Sequence, residues 1–386
     1  MTSFRVLFTT LRTPSHFLPL VPFVGACRAR GHEVAVAAPA DLEARVKETG
    51  ARFFPFGHPG DQGLAPIWAR MREVSGEEMT RIAIGELFAG ICAKTALPGL
   101  VEAVESYRPS VIIRESQEYA AVVAAKKANV PHARVSITDP SQELAILRHS
   151  APAVNEHRRG LGLPEDPEGM QIRNEPALTL FPRGLEGGEH AANVLRFRAP
   201  RNPAPPLPRH WKNEADPFVY ATLGTVAGSM EAARQAYEPV IQAARGLPAR
   251  VLLTVGNSFP LESLADVPEN VHVERFVPQD DVLPHAALAI CHGGSGTVIG
   301  ALAAGVPMVV TPLFADQPQN AARIAAVGAG IALPTRGATA ESIRRAVLSI
   351  LREPPFRDRA RAIAAEIADL PPIDEAGAAI ERLAAS

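Results

Sequence analysis

Cysteine is scarce in this chain: only Cys27, Cys92 and Cys291, far apart in sequence. A disulfide framework or a cysteine-based zinc site is therefore not expected, and a reducing, cytoplasmic setting is. No charge of one sign dominates, since 39 Lys and Arg stand against 41 Asp and Glu, a formal net charge of −2. With no basic block, nucleic acid is not an expected partner. No unbroken run of about 18 apolar residues occurs, so no membrane span is expected. The first residues lead directly into a strand pattern without the layout of a signal peptide. What remains is an ordinary globular balance, 47% hydrophobic and 21% charged. At 386 residues the chain exceeds what one core usually holds, which favours two domains.

Short, nearly continuous apolar strands alternate with helical patterns. Strands are expected over 6–9, 34–38, 52–56, 111–113 and 133–137. They resume over 218–223, 251–255, 271–276, 287–291 and 308–311. Helices are expected near 16–30, over 118–128 and up to Arg245, with Asp41 available as an N-cap. This alternation indicates α/β architecture with doubly wound parallel sheets. Residues 198–217 hold six prolines and no periodicity, the mark of a stiff linker. The expected division is 1–200, a linker over 201–217, and 218–386, with the closing helices free to return to the first domain. Residues 57–95 and 138–175 read as less regular, suited to loops at the mouth of the first domain.

One stretch, 274–321, carries the densest chemistry. An apolar strand runs into His292-Gly293-Gly294-Ser295-Gly296-Thr297, a short alanine-rich helix follows, and a second strand leads to Asp316-Gln317. Glycines let backbone approach an anion, and amides at a helix start favour negative charge. Ser295 and Thr297 offer hydroxyls, and His292 offers an imidazole N–H. A packing turn would need the same glycines. Gly224-Thr225 forms a second turn with a hydroxyl donor. A carboxylate beside an amide, as in Asp316-Gln317, can accept from and donate to vicinal sugar hydroxyls. The layout suits a diphosphate carrying a sugar.

Together these residues, in order and spacing along the whole chain, resemble the family-one glycosyltransferases, which have the GT-B fold: two Rossmann-like domains facing each other across a cleft. The resemblance is to bacterial natural-product members. It implies that Phe276 stacks on the base of a nucleotide, with Val277 and Gln279 beside base and ribose. His292, Gly293, Gly294, Ser295, Gly296 and Thr297 would hold the pyrophosphate, Thr225 would touch a phosphate, and Asp316 with Gln317 would hold the sugar. Plant members carry a ribose-binding glutamate where this chain has Gly300. Its absence leans towards a TDP-sugar over a UDP-sugar.

The same resemblance makes His16, in the context His16-Phe17-Leu18-Pro19, the general base of an inverting transfer. An imidazole, ordinarily titrating near 6.5, suits deprotonation of an acceptor hydroxyl. The matching carboxylate is Glu115, free to pair with His16 or with Arg114. The loop before His16 is Arg12-Thr13-Pro14-Ser15 rather than glycine-rich, which excludes a dinucleotide fingerprint and offers Ser15 to a substrate. Trp68, Met71, Met79, Leu87 and Phe88 are candidates for lining a pocket for a hydrophobic aglycone, though helix-face packing explains their spacing equally well. Gln142 and Glu143 are candidate polar contacts there. Neither cofactor nor metal is expected beyond the nucleotide-sugar co-substrate, and the protein is expected as monomer or homodimer. Two other readings remain: an epimerase or hydrolase of nucleotide sugars on the same fold, or a non-catalytic activator of a partner transferase.

Overall fold

Two parallel sheets, each with helices packed on it, organise the chain. The computed structural model describes residues 3–188, 192–201, 203–208, 216–224, 235–264, 266–334 and 337–385. The chain divides into two compact units. One comprises Met1–Phe181, Glu186–Pro200 and Pro371–Ser386; the other comprises Pro182–Leu185 and Arg201–Leu370.

The first unit holds β1 (Arg5–Thr9), β2 (Glu33–Ala38), β3 (Arg52–Pro55), β4 (Val111–Glu115), β5 (His132–Val135), β6 (Ala177–Thr179) and β7 (Val194–Arg196). Their order is β3-β2-β1-β4-β5-β6-β7, and every pairing is parallel. Successive side chains on a strand point to opposite faces, so β1 feeds two cores. Val6 and Phe8 pack with Phe23 and Val24 of the helix Val21–Ala29 and with Ile380 of the helix Asp374–Ala384. Leu7 packs on the other face with Leu100 of Ala93–Tyr107 and Val122 of Ala120–Ala128. Burial on both faces is why these strands read as unbroken apolar runs.

The second unit holds β8 (Phe218–Thr222), β9 (Arg250–Thr254), β10 (Val271–Glu274), β11 (Leu288–Cys291), β12 (Met308–Val310) and β13 (Gly330–Ala332). The order β10-β9-β8-β11-β12-β13 is again all parallel. Val219 and Ala221 pack against Ile241 of Tyr237–Ala244 and Val347 of Ala340–Arg352. Each sheet reverses its winding beside its first strand, between β1 and β4 and between β8 and β11. Parallel sheets bind ligands beyond the carboxyl ends of strands at such points.

Several expectations need correction. Residues 57–95 are mostly helical, through Gly60–Glu73, Gly76–Arg81 and Ile82–Cys92. Residues 138–175 hold the helices Pro140–Ile146, Ala151–Gly160 and Met170–Asn174, the first capped by the Asp139 carboxylate accepting from Ser141 N at 2.8 Å. Glycines and prolines inside these stretches hid the helical period. The continuous stretch Gly76–Tyr107 has the length and apolar composition of a membrane span. Ile84, Ala89, Ala93, Ala96, Leu97 and Leu100 from it are buried in the core of the first unit, as in a core helix. Asp41 is not a helix cap: Pro39 holds that position, and Asp41 accepts from Arg12 Nε at 2.5 Å. Of the linker, Asn202 and residues 209–215 lie outside the described residues.

Candidate active site

At the switch point of the first sheet, β1 ends at Thr9, which is in register with Arg114 of β4. The chain then turns into the four-residue helix Pro14–Phe17, where proline at the first position presets the helical φ. That helix carries His16. Its Nδ1 lies 2.9 Å from Glu115 Oε1, at the end of β4, and Glu115 is fully buried. The other carboxylate oxygen, Oε2, accepts from Gln117 N at 2.7 Å. With both oxygens engaged, the carboxylate fixes the Nδ1–H tautomer, which makes Nε2 the basic nitrogen. Glu115 thus pairs with His16. Arg114 does not turn to the pocket: it is buried against Glu175.

A second carboxylate lies in the same turn. Glu118 is buried and accepts from Thr9 Oγ1 at 2.7 Å and from Ala120 N at 2.8 Å. Burial pushes its pKa up to about 7; the Thr9 hydrogen bond opposes this and the Glu115 charge adds to it. Sequence reasoning missed Glu118 because nothing marks one carboxylate in "RESQE" as buried.

Beside His16 sits a small apolar cluster. Leu11, Leu64, Leu87 and Cys92 are buried together, with Ile67, Met71, Phe88 and Ile91 packed on them. The Phe88 ring centroid is 5.7 Å from that of His16. The structure therefore brings Met71, Leu87 and Phe88 together. Trp68, 42% exposed, and Met79 fall outside this cluster. Ser15 is exposed, its hydroxyl 3.0 Å from Thr13 Oγ1. Leu87 and Phe88 lie on a π-helix, Ile82–Cys92, whose wider turn needs close approaches. A Cβ at Gly85 would stand 2.8 Å from the His149 carbonyl, and one at Gly90 2.9 Å from the Gly85 carbonyl. Glu143 is no pocket contact. It is buried, accepting from Ser116 Oγ and Ile137 N and ion-paired with Arg134 at 3.4 Å. Gln142 lies 3.5 Å from Asp139.

The second switch point holds the glycine-rich turn. Gly293 takes φ +86°, and a Cβ there would meet Val310 at 2.8 Å. Ser295 opens the nine-residue helix Ser295–Ala303, so its first amides are available to an anion. His292 is packed tightly: a Cβ at Gly224 or Gly294 would come within 2.7 or 2.4 Å of its Nε2. Burial pushes its pKa down to about 4, the Thr222 backbone opposing, so it is neutral at physiological pH. Its Nδ1 lacks an aligned hydrogen-bond partner among the described residues. Thr297 is buried and Gly296 exposed. Thr225 lies outside the described residues.

Asp316 stands at the N-cap position of the helix Gln317–Ala326 without capping it. Its Oδ2 instead accepts from Ser295 Oγ at 2.7 Å and Asn320 Nδ2 at 2.8 Å. Asn320 also donates to the Gly293 carbonyl at 2.9 Å. Gln317 is buried, and its Oε1 accepts from Leu313 N and Phe314 N at 2.8 and 3.0 Å, holding the preceding loop. Asn320 was missed, although its spacing of four from Asp316 places both on one helix face. Phe276 is 59% exposed, after β10. Val277 follows it, and Gln279 presents a buried Oε1 without a partner among the described residues. Gly300 sits where a Cβ would be 3.2 Å from Leu283 Cδ1. Among the described residues no group of three or more His, Cys, Asp or Glu could hold a metal ion.

Two parallel-sheet units, one with an imidazole–carboxylate pair and one with a glycine-rich turn at a helix start, define the GT-B class of fold. Comparison with known proteins agrees. Residues 239–383 match the family model "Erythromycin biosynthesis protein CIII-like, C-terminal domain". The chain is 30% identical to 4'-demethylrebeccamycin synthase of Lentzea aerocolonigenes over 94% of this chain and 96% of that one. It resembles the glycosyltransferase SnogD from Streptomyces nogalater at TM-score 0.74 and 25% identity, covering 99% and 100% of the two chains. The spinosyn rhamnosyltransferase SpnG, solved complexed with thymidine diphosphate, shares the fold at TM-score 0.80 and 24% identity over 98% and 100%. The chain belongs to the natural-product glycosyltransferases of the GT-B fold. It is an enzyme of sugar transfer in antibiotic and natural-product biosynthesis, with a nucleotide-sugar donor.

Proposed function

We propose that this enzyme moves a sugar from a TDP-sugar to a hydroxyl of a hydrophobic aglycone, with inversion and with His16 as general base. The observation that carries this reading is the His16–Glu115 hydrogen bond at the first switch point. Nε2 takes the proton of the acceptor hydroxyl while its oxygen attacks the anomeric carbon. Glu115 stabilises the imidazolium formed. The bond from the anomeric carbon to the diphosphate oxygen breaks on the opposite face. The departing charge meets the amides that open Ser295–Ala303 and the neutral His292 ring, with Ser295 and Thr297 in the same turn. Asp316, tied to Ser295 and Asn320, has its Oδ1 to offer a sugar hydroxyl. Gln317 contributes by shaping its loop. Phe276 offers a face for the base, with Val277 and Gln279 beside it, and Thr225 belongs to the same donor set.

The lean to TDP rests on Gly300 packing against Leu283, which leaves an apolar spot where a ribose-binding carboxylate would otherwise sit. The apolar cluster around Leu87 and Phe88 favours a hydrophobic acceptor, with Trp68, Met71, Met79 and Ser15 on the neighbouring segments. The test is titration with TDP, UDP and GDP, followed by assay against an aglycone panel with His16→Ala as control. TDP binding tighter than UDP, and transfer lost in His16→Ala, are expected. No binding of any nucleoside diphosphate would overturn the donor reading; full activity in His16→Ala would overturn the base.

A further inference from the structure

The turn that follows Glu115 at the end of β4 is itself held by a buried cation. Arg114 is fully buried. Its Nη1 donates to three carbonyls of that turn: Ser116 O at 2.7 Å, and Glu115 O and Glu118 O each at 3.3 Å. Nε and Nη2 donate to Glu175, Nε at 3.2 Å. The guanidinium also lies 5.3 Å from the Tyr119 ring. Glu175 in turn faces His132 Nε2 at 3.3 Å and Arg134 Nη1 at 3.5 Å, and Arg134 faces Glu143. Burial alone would raise the Glu175 pKa, but the Arg114, His132 and Arg134 charges outweigh it and hold it below the usual range. Arg114 and Glu175 therefore face each other as a charged pair.

Burying such a pair is costly unless both charges are partnered. An apolar filler would serve packing alone at lower cost. Only a planar, five-donor guanidinium can gather three carbonyls and a carboxylate at once. We infer that Arg114, braced by Glu175, is a positioning residue that fixes the 115–118 turn, and through it the Glu115 carboxylate and the His16 imidazole, for proton abstraction. This rests on the reading of His16 as base.

Arg114→Lys tests it, because lysine keeps the charge opposite Glu175 but cannot span the turn. Expected is a fall in kcat of ~100-fold, as for an angstrom-scale misplacement of a catalytic group. TDP affinity should stay at the parent value. In protein labelled with 15N-histidine, the His16 Nδ1 proton resonance should broaden or exchange faster in the variant. The acid limb of the kcat/KM profile should move to lower pH, because the imidazolium loses its fixed counter-charge. If Arg114→Lys does not fold, the paired change Arg114→Met with Glu175→Leu removes both charges at similar volume; it should fold and show the same loss and the same resonance change. Parent kcat and an unchanged His16 signal in a folded variant would overturn the proposal. So would lowered thermal stability with both readouts intact, the mark of a merely structural role. The resonance readout separates this from the base assignment: if His16→Ala stays active while Arg114→Lys disturbs the His16 signal, positioning stands and the base reading fails.

Discussion

At the residue scale, the proposed base is the sharpest test: replacing His16 by alanine should lower kcat by ~100- to 10,000-fold with TDP affinity unchanged, measured by steady-state assay and calorimetry. Glu118 and His292 make opposite demands on pH. Glu118 is raised to about 7 when folded, so its contribution to stability is full below the ordinary glutamate value of about 4.3 and is lost as pH rises through about 7. His292 is lowered to about 4, so its contribution is full above the ordinary histidine value of about 6.5 and is lost as pH falls towards about 4. Denaturant titrations across pH 5 to 8 should therefore show Glu118→Gln losing less stability than the parent on the alkaline side. On the acid side His292→Gln should lose less. An unchanged pH dependence in both variants would contradict these assignments. His292 and Asp316 were legible because they sit in a dense motif. Glu118, Asn320 and the Arg114 brace were not, since burial of a charge is decided by partners tens of residues away, such as Glu175.

At the element scale, strands declared themselves and the helices around the candidate acceptor side did not. Near-continuous apolar runs such as Val34–Ala38 read as central parallel strands, so most of both sheets was readable; the three-residue strands β6, β7 and β13 were not. The segment Ile82–Cys92 defeats a 3.6-residue template because it is wound with a wider turn. Two glycines permit that winding, and His157 Nε2 donates to the Ala89 carbonyl within it at 2.8 Å. Gly85→Ala would drive a methyl against the His149 carbonyl. It should destabilise the fold by ~1–3 kcal/mol and raise the acceptor KM while leaving donor KM alone. Paired acceptor and donor saturation curves would detect equal changes in both, the result that refutes a local role for this helix.

At the scale of the whole molecule, the chain leaves its first unit after Pro200 and returns to it at Pro371. Ile373, Ala376, Ala379 and Ile380 join the core of the first unit. Glu381 binds Arg30 through Nε and Nη2 at 2.7 and 2.9 Å and His32 at 2.9 Å. Truncation after Leu370 should therefore destabilise the first unit and abolish transfer. TDP binding by the second unit should survive, as calorimetry on the truncated protein would report. Loss of TDP binding together with transfer would show that the second unit depends on that segment.

That return has a consequence for the order in which the protein comes into being. Translation delivers the seven strands of the first sheet early, yet the helix that seals one of its faces is made only after the second sheet is complete. Until then Phe23, Val24 and Cys27 lack the cover they have in the finished protein. The half of the enzyme that is synthesised first is the half that is finished last, and on a slowed ribosome it waits with an open apolar flank.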